Sequence, residues 1–190
     1  MNSHYFAMLS RMKNIYRWGL MRNTRPENLS EHSLEVAIIA HALCIISNKR
    51  LGGNIDANKV GIAAMFHDTS EIITGDMPTP IKYYNPEIKN VYKNIESVAE
   101  EKLLQMLPDD MKPEYEALYN VNEEEKAIIK AADKISAYIK CIEETESGNK
   151  EFLKALKATK SAVSDMKLKA ADIFMDEFIP SFYLPLDNQN

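Results

Sequence analysis

Cysteine is scarce in this chain, and the two present, Cys44 and Cys141, both lie inside helical apolar patterns rather than at loop positions. A disulfide framework is therefore excluded, and both thiols are expected to be free. Alternating strand patterns and hairpin turn signals are also scarce, which argues against sandwiches and barrels. Excess positive charge is missing as well: 28 acidic residues face 23 basic ones, for a formal charge of -5. No general attraction to a nucleic-acid backbone is available, so any phosphate chemistry has to rest on local cations. The apolar stretches are interrupted by polar residues short of a membrane span, and Met1-Asn2-Ser3-His4-Tyr5 lacks the basic start and apolar core of a signal peptide. The expectation is a cytoplasmic protein with neither a membrane nor a nucleic-acid polymer as partner.

What is abundant is helical periodicity. A length of 190 residues with 45% hydrophobic content suits one domain, residues 1–190, with a continuous core. The predicted fold is all-α. A first helix is expected over Ser3 to Ile15. A second, with Ser30 as its N-cap, carries Leu34, Val36, Ile38, Ile39, Leu43 and Ile46 and stops at Gly52-Gly53. A third runs from Asp56 to about Glu71, followed by a Gly/Pro loop from Gly75 to Pro86. A fourth covers Pro86 to Leu107, where Pro108 ends it. Asn122 followed by Glu123-Glu124-Glu125 predicts a helix start, since carboxylates in a first turn meet the positive end of the helix dipole; that helix reaches about Gly148. A last helix is expected from Glu151 to Ile179.

The chemistry concentrates at His67-Asp68. Adjacent residues mid-helix point apart, so an imidazole and a carboxylate that are neighbours in sequence chelate one ion only in a turn or at a helix end. The apolar run Gly61-Ile62-Ala63-Ala64-Met65-Phe66 before the pair and the Gly/Pro-rich stretch after it place it where a buried helix comes apart. His32, in the first turn of the second helix, read alone is more often a polar helix residue than a ligand. Asp133 interrupts the apolar face Ile128, Ile129, Ala131, Ala132, Ile135, where an acid needs a cation or donor nearby. Together the four make a candidate metal set with mixed nitrogen and oxygen donors, which suits a divalent transition ion better than calcium. His4 and His41 fall outside it.

The order His32, His67-Asp68, Asp133 resembles the signature of the HD superfamily of metal-dependent phosphohydrolases. The segments Arg17 to Asn23, Glu27 to Ser33, Phe66 to Glu71, Thr74 to Pro80 and Phe178 to Phe182 resemble, more narrowly, the bacterial YfbR-like 5'-deoxynucleotidases, a likeness that spans essentially the whole chain. The resemblance implies a single HD-domain helical bundle with its HD core at about residues 28–145. It implies hydrolysis of 2'-deoxyribonucleoside 5'-monophosphates and one divalent ion, cobalt or manganese being favoured, on His32, His67, Asp68 and Asp133. It also implies a homodimer.

For the catalytic residues, similarity points to Arg17 on the phosphate, to Glu71 orienting or activating water and to Asp76 at the sugar oxygens or leaving group, the last two being interchangeable on sequence grounds. If the helix persists through Glu71, that residue shares a face with His67; otherwise it is a solvated helix-end acid. Trp18, by its residue type most often core, sits beside Arg17 and before Gly19 and would wall the sugar against a 2'-hydroxyl. His32, Asp76, Met77, Pro78, Thr79 and Asp133 complete the expected substrate contacts. Alternatives in the same superfamily are a dNTP triphosphohydrolase, which needs more cations around the pocket than Arg17 with Arg22, Arg25 or Lys82 obviously provides, or a cyclic-nucleotide phosphodiesterase. A different class would be a non-catalytic metal- or nucleotide-binding module.

Overall fold

The computed structural model describes residues 3–78, 81 and 84–189. Their contacts define two compact units, each assembled from stretches distant in sequence: Met1–Leu20, Pro26–Ser33 and Phe66–Asn120 form the first, and Met21–Arg25, Leu34–Met65 and Val121–Asn190 the second.

The first unit contains α1 (Tyr5–Leu9), a following 3-10 turn (Ser10–Asn14) and the start of α2 (Leu29–Arg50); its later part contributes α4 (Glu71–Thr74), α5 (Pro86–Leu104) and α6 (Lys112–Tyr119). Its small core is aromatic. Tyr5 is fully buried against Leu103, Leu104 and Leu107, and its ring meets Tyr115 edge-on at 5.1 Å. Phe66 meets Tyr115 at 5.9 Å and Tyr119 at 6.3 Å. The Tyr119 hydroxyl bonds that of Tyr5 at 3.3 Å and Thr69 Oγ1 at 2.9 Å.

The second unit holds the remainder of α2, α3 (Ala57–Met65), the long α7 (Glu123–Glu146), α8 (Leu153–Ser164) and α9 (Lys169–Glu177). Val36, Ala40 and Leu43 of α2, Val60 and Ala64 of α3, and Ile128, Ala132, Ile135 and Ile139 of α7 are buried together. Each large aliphatic side chain removed from water contributes roughly 1.5–3 kcal/mol. Asn122 caps α7 as expected: its side chain accepts from Glu125 N at 2.9 Å, while the Glu125 carboxylate returns to Asn122 N at 2.9 Å. Cys44 and Cys141 are free and buried, and burial pushes the Cys44 thiol up to about 11.

Several boundaries differ from expectation. The first helix is α-helical only to Leu9 and then tightens to 3-10. Asn28, not Ser30, caps α2: Asn28 Oδ1 accepts from Ser30 N and Glu31 N at 3.0 Å, and Glu31 reaches back to Asn28 N at 3.1 Å. The third helix ends at Met65 rather than Glu71, and the fourth at Leu104 rather than Leu107. Helix α6 was not expected at all. The last predicted helix is two, because Lys167 takes a left-handed φ of 53° with no glycine to announce it. Helix α2 itself has an 18-residue window of mean hydropathy 1.5, long and apolar enough to cross a membrane by composition, but 56% of that window is buried inside the protein, as in a core helix.

A buried ion pair ties down Thr24 and Arg25, in the stretch of chain between Leu20 and Pro26. Lys140 Nζ donates to Glu144 at 2.6 Å and to the carbonyl of Arg25. Glu144 also accepts from Thr24 N at 2.9 Å, Thr24 Oγ1 at 2.7 Å and Asn149 Nδ2 at 2.8 Å. Burial alone would raise the Glu144 carboxyl, but the Lys140 bond, the Thr24 donors and Asn149 outweigh it and hold it at about 2 against an ordinary 4.5. A depressed carboxyl stabilises the fold above its unfolded value and loses that contribution as pH falls through its folded value. Glu144→Gln is therefore expected to flatten the acid limb of the stability profile between pH 4.5 and about 2. Lys140→Met, which leaves the carboxylate buried without its ammonium, is expected to cost about 3 kcal/mol in urea unfolding.

Candidate metal centre

His32 lies in the first turn of α2, its N–H donating to Asn28 O at 3.1 Å, and its side chain is fully buried. His67 and Asp68 lie in the turn between α3 and α4, where Thr69 N bonds Phe66 O at 3.2 Å and Glu71 N bonds Asp68 O at 3.0 Å. The helix comes apart where the composition indicated, and the turn lets sequence neighbours converge. His67 Nε2 is 3.0 Å and His32 Nε2 3.6 Å from Asp68 Oδ2. The imidazole rings stand 5.4 Å apart.

One donor atom from each of His32, His67 and Asp68 lies within 4.8 Å of the others. Donors about 2.0–2.2 Å from one ion sit no more than about 4.4 Å apart, so the set fits a single transition ion with only small side-chain adjustment. The turn owes its position to its flanks: Phe66 is packed on α6, and Thr69 is bonded to Tyr119. Burial would raise the Asp68 carboxyl, yet the charge of His67 and the hydrogen bonds of both imidazoles hold it well below the usual carboxylate range.

Arg17 borders the group. Its Nη1 donates to Asp68 Oδ2 at 3.4 Å and its Nε to Glu27 Oε2 at 3.2 Å. Trp18, half-buried, donates its indole N–H to that same Glu27 oxygen at 3.1 Å and has a φ of 59°. Such a conformation costs a non-glycine residue roughly 1–2 kcal/mol. Asp76 accepts the backbone N–H of Trp18; burial raises its carboxyl, an effect moderated by Arg17. Gly75, at φ 73° and ψ 162°, ends α4 in a conformation open essentially to glycine alone.

The remaining expected residues fall as follows. Glu71 does not continue the helix of His67; it opens the separate α4, and at 4% exposure it is not a solvated acid. Met77 and Pro78 are half-buried in the loop after α4. Thr79 and Lys82 lie outside the described residues. Asp133 is a half-buried residue of α7, in the second unit. Arg22 is committed to Glu151 at 2.6 Å. Glu27 opens the segment Glu27 to Ser33, and only its contacts with Arg17 and Trp18 single it out.

These features define an HD-domain phosphohydrolase fold. The structure is similar to an HD-domain phosphohydrolase from Listeria innocua, with a TM-score of 0.81 and 24% identity over 96% of this chain and 90% of that one. It is also similar to the cyanophage S-2L HD phosphohydrolase, solved with dA and one catalytic zinc ion, at a TM-score of 0.63 and 20% identity over 93% and 95% of the two chains. The 5'-deoxynucleotidase YfbR-like family model matches residues 4–182, and the chain belongs to that family. A 5'-deoxynucleotidase of Yersinia pseudotuberculosis is 50% identical over 188 residues, 97% of this chain and 95% of its own length.

His67→Ala and Asp68→Ala are each expected to lose stoichiometric metal while keeping helical circular dichroism, because each removes a donor from the set. Elemental analysis after dialysis against the divalent ion checks this; full metal content in both variants would refute the ligand assignment.

Proposed function

We propose that the chain hydrolyses 2'-deoxyribonucleoside 5'-monophosphates to the deoxynucleoside and inorganic phosphate. The observation that carries the reading is the convergence of His32, His67 and the Arg17 guanidinium on Asp68, in a member of a deoxynucleotidase family. One divalent ion, cobalt or manganese by the mixed imidazole and carboxylate donors, would be held by His32, His67 and Asp68, with Asp133 as the fourth ligand that the sequence signature supplies. When bound, such an ion lowers the pKa of a coordinated water and takes up charge on phosphorus.

The protein's own groups do the rest. Arg17 takes the phosphate through the planar guanidinium that now faces Asp68. The buried Glu71 orients or activates the attacking water. Water adds at phosphorus, the ester bond to the 5'-oxygen breaks, and that oxygen needs a proton. Asp76, whose proton affinity burial raises, suits that transfer or the neighbouring sugar oxygens. Trp18 walls the sugar, with His32, Met77, Pro78, Thr79 and Asp133 completing the contacts. The whole chain, residues 1–190, acts as one HD domain in the cytoplasm and as a homodimer. For the dimer, Leu34, Ile38 and Ile45 offer an exposed apolar stripe on α2, and Ile62 and Met65 one on α3.

A panel of nucleoside mono-, di- and triphosphates with cobalt, manganese, zinc and magnesium, read as released orthophosphate, is expected to show turnover confined to deoxynucleoside monophosphates. Release of pyrophosphate or triphosphate would instead make the chain a triphosphohydrolase. Arg17→Lys is expected to regain only part of the activity lost in Arg17→Ala, since an ammonium cannot reproduce a two-pronged contact. In Trp18→Ala the ratio of kcat/KM for dAMP over AMP is expected to fall about tenfold, the worth of about 1.4 kcal/mol of steric exclusion.

A further inference from the structure

We propose that Glu27 is a positioning residue that sets the spacing between the phosphate-binding cation and the sugar wall, and through it the preference for deoxyribose. This rests on the reading above, in which Arg17 holds phosphate and Trp18 faces the sugar.

The geometry has an unusual economy. Arg17 Nε and Trp18 Nε1 both donate to one atom, Glu27 Oε2, at 3.2 and 3.1 Å. A single carboxylate oxygen is thus the common pivot of a guanidinium and an indole from consecutive residues. With Nε committed to Glu27, the far end of the guanidinium is turned toward Asp68, where Nη1 sits 3.4 Å from Oδ2. The indole, held by the same oxygen, keeps a fixed offset from that cation. The Trp18 backbone could not be expected to hold the position unaided, since its φ of 59° is disfavoured for a tryptophan. It is held at both ends: Glu27 takes the indole N–H, and Asp76 takes the backbone N–H.

The surrounding ribbon does not depend on the Glu27 side chain. Arg17 N bonds Glu27 O at 3.0 Å, Leu29 N bonds Ile15 O at 2.8 Å, and Tyr16 pairs with Asn28 as an antiparallel bridge. Side-chain replacement at Glu27 therefore leaves the backbone register in place and loosens the two side chains above it. Of the two, the indole is the more easily followed, because the chain has a single tryptophan and its emission reports on Trp18 alone.

The experiment compares wild type, Glu27→Ala and Glu27→Gln, with metal content and melting temperature verified. Steady-state kinetics with dAMP and AMP are measured in the presence of the activating metal, and acrylamide quenching of tryptophan emission is measured without substrate. Glu27→Ala is expected to lose about tenfold in the dAMP to AMP ratio of kcat/KM and to show roughly doubled quenching. Glu27→Gln keeps an acceptor for the indole N–H, so it is expected to recover quenching and selectivity. Its rate with dAMP is expected to stay about tenfold low, because a neutral amide orients the guanidinium less firmly than a carboxylate does. Rescue of selectivity without rescue of rate is a pattern that simple loss of structure would not produce. Wild-type selectivity and wild-type quenching in Glu27→Ala would overturn the inference beside a functional reading that still stands. A wild type that does not favour dAMP over AMP would end both, and is seen in the same assay.

Discussion

The site depends on one carboxylate oxygen. Asp68 Oδ2 is the point on which His32, His67 and Arg17 converge, at 3.6, 3.0 and 3.4 Å. That convergence requires α3 to stop at Met65, since in a continuing helix residues 67 and 68 would point about 100° apart. The stop is enforced from outside the turn. Phe66 packs edge-on against Tyr115 and Tyr119, and Thr69 is bonded to the Tyr119 hydroxyl, so the two residues flanking His67-Asp68 are both fastened to α6. A turn pinned at both shoulders presents its side chains with little freedom, which is what a metal or phosphate site needs from its scaffold.

The other face of the site is built differently. Arg17 and Trp18 lie on a ribbon with almost no regular structure, bonded to the strand-like approach to α2. Side-chain acceptors, Glu27 and Asp76, take over the ordering that a helix would otherwise supply. Just beyond, residues 21 to 25 are clamped onto Glu144 and Lys140. Thr24 and Arg25, between the cation-bearing ribbon and the histidine-bearing helix in the chain, are thus held by hydrogen bonds to a buried ion pair.

The parts of this arrangement that were legible in the sequence are those with a local cause. The break at His67-Asp68 follows from the residues around it, and Asn122 with its carboxylate turn predicted the α7 cap correctly. His67 and Asp68 stand out in the sequence because a neighbouring imidazole and carboxylate are costly to bury without a partner. What escaped had a distant or silent cause. Lys167 breaks a helix in a conformation that lysine rarely adopts and nothing nearby announces. Ser30 looked like a cap because serine often is one, yet Asn28, two residues earlier, has Glu31 at the reciprocal spacing of a capping box. Helix α6 is short, and its importance comes from Tyr115 and Tyr119 meeting residues fifty positions away in the chain. Glu27 shows its role only through what it touches.

The interleaving of the two units has a consequence for the order in which the protein is made. The first unit draws on Met1–Leu20, Pro26–Ser33 and Phe66–Asn120 and so is complete by Asn120, whereas the second waits for helices that begin at Glu123. Tyr5 has its hydroxyl partner, Tyr119, 114 residues downstream, so α1 emerges from the ribosome long before the surface that buries it exists. During that interval its aromatic face is exposed, and the loop that must close is long and entropically slow to find its end. Once residue 120 is out, the histidine-bearing turn can be clasped while the last third of the chain is still being synthesised.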